Sequence, residues 1–197
     1  MKKLFVITYP DFFPREGKII TRLFEEGLQY LHLRKPGCSE EKIIQLIDAI
    51  CPEFHNRIIL HDCFNVADNY PIGGLHINRR NNRIPANFKG SLSRSCHSLQ
   101  EIKESKGFDY VFLSPIFDSI SKEGYQSNFP IEVLKEASEK EVINEKVIAL
   151  GGLDSTTIPL LKEIKFGGFA ILGALWGNQP TEGESDPIIK RYKQFQI

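Results

Sequence analysis

The sequence predicts an α/β fold: a single-domain (β/α)8 barrel with short loops, spanning residues 1–197. Two observations carry this. Eight short β-branched or aliphatic runs alternate with stretches of helical period, and strand followed by helix, repeated, means a parallel sheet. Eight such strands favour closure into a barrel over an open doubly wound sheet. The second observation is length. A chain of 197 residues suits one domain, but a barrel of this class typically takes about 250. Its loops must be tight and its helices short.

The predicted strands are Leu4–Thr8, Tyr30–Arg34, Arg57–His61, Gly74–Ile77, Gly90–Ser95, Tyr110–Ser114, Val147–Leu150 and Phe169–Leu172. Between the second and third, Ile43, Leu46, Ile47 and Ile50 fall at helical spacing. Ser39 precedes them as an N-cap, with Glu40 and Glu41 in the first turn. Ser98–Lys106 repeats the design, with Ser98 and Glu101 spaced as a capping box. Pro130 opens a helix over Ile131–Lys140, where its missing N–H costs nothing. Asp154 or Ser155 caps Thr156–Ile164, and Pro187 opens a final helix over Asp186–Gln196. One connection breaks the pattern. Between Gly74–Ile77 and Gly90–Ser95 the chain reads NRRNNRIPANFKG, too polar and proline-broken for a full helix, so a loop or short turn is expected.

Composition removes several function classes. With 25 basic and 25 acidic residues the net charge is zero, which argues against broad binding to nucleic acid or an anionic membrane. No apolar run approaches the roughly 20 residues that span a bilayer. The stretch after Lys2-Lys3 is too brief for a signal peptide, and a cytoplasmic location is expected. Cys38, Cys51, Cys63 and Cys96 form no C-x-x-C pair and read as reduced, small hydrophobes. Trp176 and the apolar face of the last helix suit either core or a homo-oligomer interface.

Function in such a barrel sits at the C-terminal ends of the strands, with phosphate commonly held after the last two. Leu150 is followed by Gly151-Gly152 and Leu172 by Gly173-Ala174. Residues without bulky side chains leave backbone N–H groups open to phosphate oxygens. The other strand ends carry His32, Arg34 and Lys35, then His61-Asp62, then His76, Asn78, Arg79 and Asn81, then Ser95 and His97, and finally Ser114, Ser119, Ser121 and Lys122. Cations and hydroxyls at this density suit a polyanionic substrate. Asp62 is the strongest metal candidate, since one carboxylate beside phosphates is a usual way to hold Mg2+. His32 and Arg34 share a strand face, opposite Leu31 and Leu33. Blander roles are expected for His76 as a hydrogen-bonded core residue, His97 at a helix start, His55 in an exposed loop, and Arg79 and Arg80 in a solvated turn.

The segments YLHLRKPG (30–37), IILHDCFNVA (58–67), GLHI (74–77), SRSCHS (93–98), DYVFLSPIFDSISKEG (109–124), VIALGGLD (147–154) and GFAILGAL (168–175) together resemble the thiamine phosphate synthase/TenI family. The resemblance implies a short TIM barrel and a thiazole-phosphate ligand. The synthase joins hydroxymethylpyrimidine diphosphate to thiazole phosphate, giving thiamine phosphate and pyrophosphate, with Mg2+ on the diphosphate. By position, Arg34, Lys122 and Ser95 would meet the diphosphate and Asp62 would bind Mg2+. Ser119 and Ser121 match the thiazole-phosphate loop, while Gly151, Gly152 and Gly173 would offer amides to the thiazole phosphate. His32 would contact substrate, and His61 or His32 would serve as acid and base near neutral pH in a tautomerase.

Some positions depart from the synthase pattern. Strand two usually reads Q-x-R-E-K, whereas here it is His32-Leu33-Arg34-Lys35-Pro36. Lys35 is the nearest stand-in for the missing lysine. The usual Asn-Asp of strand three is His61-Asp62, and the second metal carboxylate aligns with Asn81, which predicts weaker Mg2+ binding. His32 and Arg94-Ser95-x-His97 look like the TenI branch, a thiazole tautomerase whose catalytic histidine follows strand six. Here that position is Pro115, in a synthase-like Ser114-Pro115 pair. The expected function is the transferase. A TenI-like tautomerase and a non-catalytic thiazole-phosphate binding protein are the alternatives. Expected partners are phosphorylated small molecules.

Overall fold

Alternation along each strand sorts the side chains into two cores. Phe5, Ile7, Phe112, Ile148 and Ala170 cluster inside the barrel. Their sequence neighbours Val6, Val111, Leu113, Val147, Ala149 and Ile171 face outward into a larger core. The computed structural model describes residues 2–79, 81–118, 129–181, 183 and 185–195. Within them eight parallel strands close in sequence order: β1 (Lys3–Ile7), β2 (Tyr30–Leu33), β3 (Ile58–Leu60), β4 (Gly74–Ile77), β5 (Ser91–Cys96), β6 (Tyr110–Leu113), β7 (Val147–Leu150) and β8 (Gly168–Ile171). β8 pairs back onto β1, placing Phe5 beside Ala170.

The helices are α1 (Glu16–Glu25), α2 (Glu40–Asp48), α3 (Leu99–Glu104), α4 (Ile131–Glu139), α5 (Gly173–Trp176) and α6 (Ser185–Lys193). Short connections explain how 197 residues suffice. A 3-10 turn (Phe64–Asp68) replaces the helix after β3, and another (Ile158–Leu161) replaces the one after β7. The polar β4–β5 connection has no helix among its described residues, as its proline and polarity predict. It leaves a groove of about 520 Å³ lined by Asn65, Asp68, Arg83 and Ile84 among others.

Several expectations need correction. The helix predicted over Thr156–Ile164 is only that second 3-10 turn, because Pro159 lacks an N–H and its ring obstructs a longer helix. Neither Asp154 nor Ser155 is its cap: Thr157 takes that position without a side-chain cap hydrogen bond, and Asp154 Oδ1 accepts from Thr156 N and Thr157 N in the turn before it. His55 is not exposed. It is buried, and its Nε2 approaches Ile47 O at 3.0 Å and Ile50 O at 3.1 Å, supplying a donor to carbonyls at the end of α2. The capping box is shifted by one residue. Ser98 Oγ accepts from Glu101 N, but Glu101 Oε2 reaches the N–H of His97. Trp176 is core, fully buried, with Nε1 donating to Ile7 O at 2.7 Å. No helix of the described residues is long and apolar enough to cross a membrane.

Candidate active site at the barrel mouth

One half of the barrel interior is polar. His32 of β2, Ser93 of β5 and Tyr110 of β6 point inward below the mouth, with His61 at the end of β3 and His76 in β4. His32 Nδ1 lies 2.8 Å from His61 Nε2, and Tyr110 Oη lies 2.8 Å from His32 Nε2. His61 and His76 stack with ring centroids 4.1 Å apart. His76 spans two serines, with Nδ1 3.0 Å from Ser93 Oγ and Nε2 3.0 Å from Ser95 Oγ. This matches the expected hydrogen-bonded core role of His76 and fixes the Ser95 hydroxyl at the top of β5.

Burial keeps all three rings neutral. It pushes His32 and His61 well below the ordinary histidine value, and His76 down to about 3. The positive charge of Arg34 adds to the lowering at His61 and His76. His32 is 0% exposed and His61 7%, so both rings lie in the packed floor below the mouth, and burial works against the charged form that a histidine acid–base pair uses near neutral pH.

Above this floor, Thr8 pins the end of β2. Arg34 N donates to Thr8 Oγ1 at 2.9 Å, and Thr8 Oγ1 donates to Arg34 O at 3.0 Å. Among the described residues the Arg34 guanidinium has no carboxylate partner. Lys35, which leaves β2 on the opposite side, is spoken for. Its Nζ lies 2.7 and 2.8 Å from the two Glu16 oxygens and also meets the carbonyls of Tyr9 and Asp11. Burial raises the Glu16 carboxyl and lowers the Lys35 ammonium, and each partner's charge pulls the other back. Lys35 is therefore no stand-in for the missing lysine of strand two. Sequence spacing gave no sign of this long-range pair.

Asp62 follows His61 at the top of β3. Asn78 Nδ2 donates to His61 O, and Asn78 and Asn81 close a turn through Asn78 N to Asn81 O and Asn81 N to Asn78 Oδ1. That turn delivers Asn81 Nδ2 to Asp62 Oδ1 at 2.5 Å. The other oxygen, Oδ2, is buried with no hydrogen-bond partner among the described residues. A buried carboxylate oxygen without a donor calls for an explanation, and a hard cation such as Mg2+ fits it.

Across the mouth, Gly151 has φ 98 and Gly152 φ 63. A Cβ on Gly152 would meet Asp118 O at 2.6 Å and Phe117 Cβ at 2.7 Å. These glycines thus allow the β6 and β7 loops to touch, which is a packing role as well as a route to open amides. Among the described residues, no turn, loop or cap hydrogen bond uses the N–H of Gly152, Gly173 or Ala174. His97 stands at the start of α3 as expected, its Nδ1 2.9 Å from Ser114 O. Ser119, Ser121 and Lys122, with most of the 118–127 loop, lie outside the described residues, as does Arg80.

Residues 4–175 match the model of the family described as thiamine monophosphate synthase (TMP-TENI). The chain belongs to that family. The crystal structure of thiamine phosphate pyrophosphorylase from Bacteroides thetaiotaomicron is similar to it with a TM-score of 0.88 and 38% identity, over 98% of this chain and 94% of that one. The thiamine-phosphate synthase of Clostridium tetani is 24% identical over 195 residues, 91% of this chain and 90% of the relative. The thiamine phosphate pyrophosphorylase of Pyrococcus furiosus shares the fold, with a TM-score of 0.72 at 18% identity over 99% of this chain and 97% of that one. Within the thiamine monophosphate synthase family, then, this chain has a barrel mouth with a cation from β2, a carboxylate from β3, a hydroxyl from β5 and open amides after β7 and β8.

Proposed function

We propose that this chain is a thiamine-phosphate synthase. It transfers the hydroxymethylpyrimidine group from its diphosphate to the ring nitrogen of thiazole phosphate, releasing pyrophosphate. One observation carries the reading: among the described residues, two unmet charges stand at adjacent strand ends, Arg34 without a carboxylate and Asp62 with a buried oxygen that lacks a donor. A buried carboxylate oxygen without a partner is costly. A metal-bound diphosphate satisfies both.

The chain's own groups divide the work. Arg34, held through its backbone by Thr8, neutralises charge that builds on the departing diphosphate. Ser95, oriented by His76, adds a hydroxyl on the same side. Asp62 would hold Mg2+, which when bound supplies further positive charge to the leaving group. Lys122 is assigned to the diphosphate, and Ser119 and Ser121 to the thiazole phosphate, together with the amides of Gly151, Gly152 and Gly173. His61 joins the floor under these groups. Neutral buried histidines give a tautomerase no acid–base pair, so the transferase is the better reading. The chemistry implies a cytoplasmic enzyme acting on phosphorylated small molecules.

The test is Asp62→Ala in an assay with both substrates and varied Mg2+. Transferase activity and its Mg2+ dependence should both fall. If both are unchanged, the metal assignment fails.

A further inference from the structure

The histidine floor is an unusual object to bury. Three imidazoles offer one nitrogen each, all lying within 4.8 Å of one another. Two ligands of a tetrahedral zinc-type ion stand about 3.4 Å apart when each bond is about 2.05 Å. His32 Nδ1 and His61 Nε2 stand 2.8 Å apart and all three ligand atoms lie within 4.8 Å, so the rings close on that spacing once His76 turns off its stack on His61. Two of the three rings keep a fixed partner on the nitrogen pointing away from the cluster. His32 Nε2 faces Tyr110 Oη, and whichever nitrogen of His76 turns inward, the other keeps a serine. Histidine ligands usually hold such an outward hydrogen bond, which sets ring orientation and tautomer.

We propose that His32, His61 and His76 form a binding site for a borderline divalent transition-metal ion of the Zn2+ or Co2+ class, in the barrel floor next to Asp62. The ion takes the place of the hydrogen bond between His32 Nδ1 and His61 Nε2, the ring proton of that bond moving to the outward nitrogen of the same ring (on His32 this is Nε2, facing Tyr110 Oη), and one nitrogen of His76 exchanges its serine for the ion to complete a three-imidazole face. Neutral rings are the ligating form. The site is separate in chemistry from the oxygen site at Asp62. Nitrogen ligands suit zinc, cobalt, nickel and copper, whereas a carboxylate with waters suits magnesium. Arg34 stands close enough to weaken the site by repulsion. That fits a site occupied when such ions are available and empty otherwise.

Two measurements on the full chain test this, after dialysis against a chelator. The first adds Co2+ alone and records visible absorption. One equivalent should give the intense band of four-coordinate, nitrogen-bound cobalt. His32→Gln and His61→Asn place at strands two and three the residues the synthase pattern usually has there. Each should weaken binding by at least about tenfold, while Asp62→Asn keeps the band. The second is X-ray absorption at the zinc edge of the unaltered protein loaded with Zn2+, which should count three imidazoles and requires no variant. Absence of the band, a band lost with Asp62→Asn, or a zinc shell of oxygens overturns the proposal. None of these outcomes depends on transferase activity.

Discussion

Asn81 Nδ2 sits 2.5 Å from Asp62 Oδ1, so the amide occupies the place where the resemblance puts a second metal carboxylate. The contact orients Asp62 and leaves its buried Oδ2 without a hydrogen-bond partner among the described residues. Replacing the donor by an acceptor makes a sharp test. Asn81→Asp sets two carboxylates side by side. Their repulsion should lower stability without metal, and Mg2+ should restore it. The expected result is a larger Mg2+-induced rise in Tm for Asn81→Asp than for the unaltered protein, with half-maximal activity at lower Mg2+. An equal rise in both would separate Asn81 from the metal site.

The buried pair of Lys35 and Glu16 leads to a different prediction. Lys35→Met removes the charge that holds the Glu16 carboxyl down, leaving a buried group that must take up a proton or stay unpaired, at a cost of up to about 3–5 kcal/mol. Lys35→Met with Glu16→Gln removes both charges and should recover most of that loss. Urea unfolding of the two variants decides it. Similar losses in both would mean that packing, not charge, dominates.

Gly152→Ala should be harmful for a reason independent of substrate. With φ 63 and Asp118 O only 2.6 Å from the new methyl, the β6 and β7 loops must separate. A loss of roughly 1–3 kcal/mol is expected from the backbone alone, together with weaker binding of thiazole phosphate measured by calorimetry. Unchanged stability and affinity would show that the two loops adapt at no cost.

The strand ladder was legible because its signal is local: alternation and length name all eight strands to within one or two residues. The glycines after β7 and β8 and the cation on β2 were legible for the same reason, since strand ends declare themselves. What eluded the sequence was long-range. Lys35 and Glu16 are 19 positions apart, and nothing in their spacing marks a pair. His55 looked like a loop residue because its partners are carbonyls, which leave no trace in sequence. The histidine floor needed closure of the barrel to bring β2, β3 and β4 together.

That floor makes stability depend on pH. Folding holds His32, His61 and His76 neutral, whereas in the unfolded chain they take up a proton near 6.5. The unfolded state then binds more protons, so stability is full above about 6.5 and falls as pH drops below it. Each ring contributes up to about 1.4 kcal/mol per pH unit. The raised Glu16 carboxyl acts in the other direction, but three histidines outnumber it. Urea midpoints should fall between about pH 7.5 and 5.5, and fall less in His32→Gln. A flat profile would mean that the rings are protonated in the folded state.

The most direct test is product formation. Purified protein with Mg2+, hydroxymethylpyrimidine diphosphate and thiazole phosphate should release thiamine phosphate and pyrophosphate in equal amounts. Arg34→Ala should lower kcat/KM by about 100-fold or more, with thiazole-phosphate affinity retained. No thiamine phosphate from the unaltered protein, while thiazole phosphate still binds, would contradict the account.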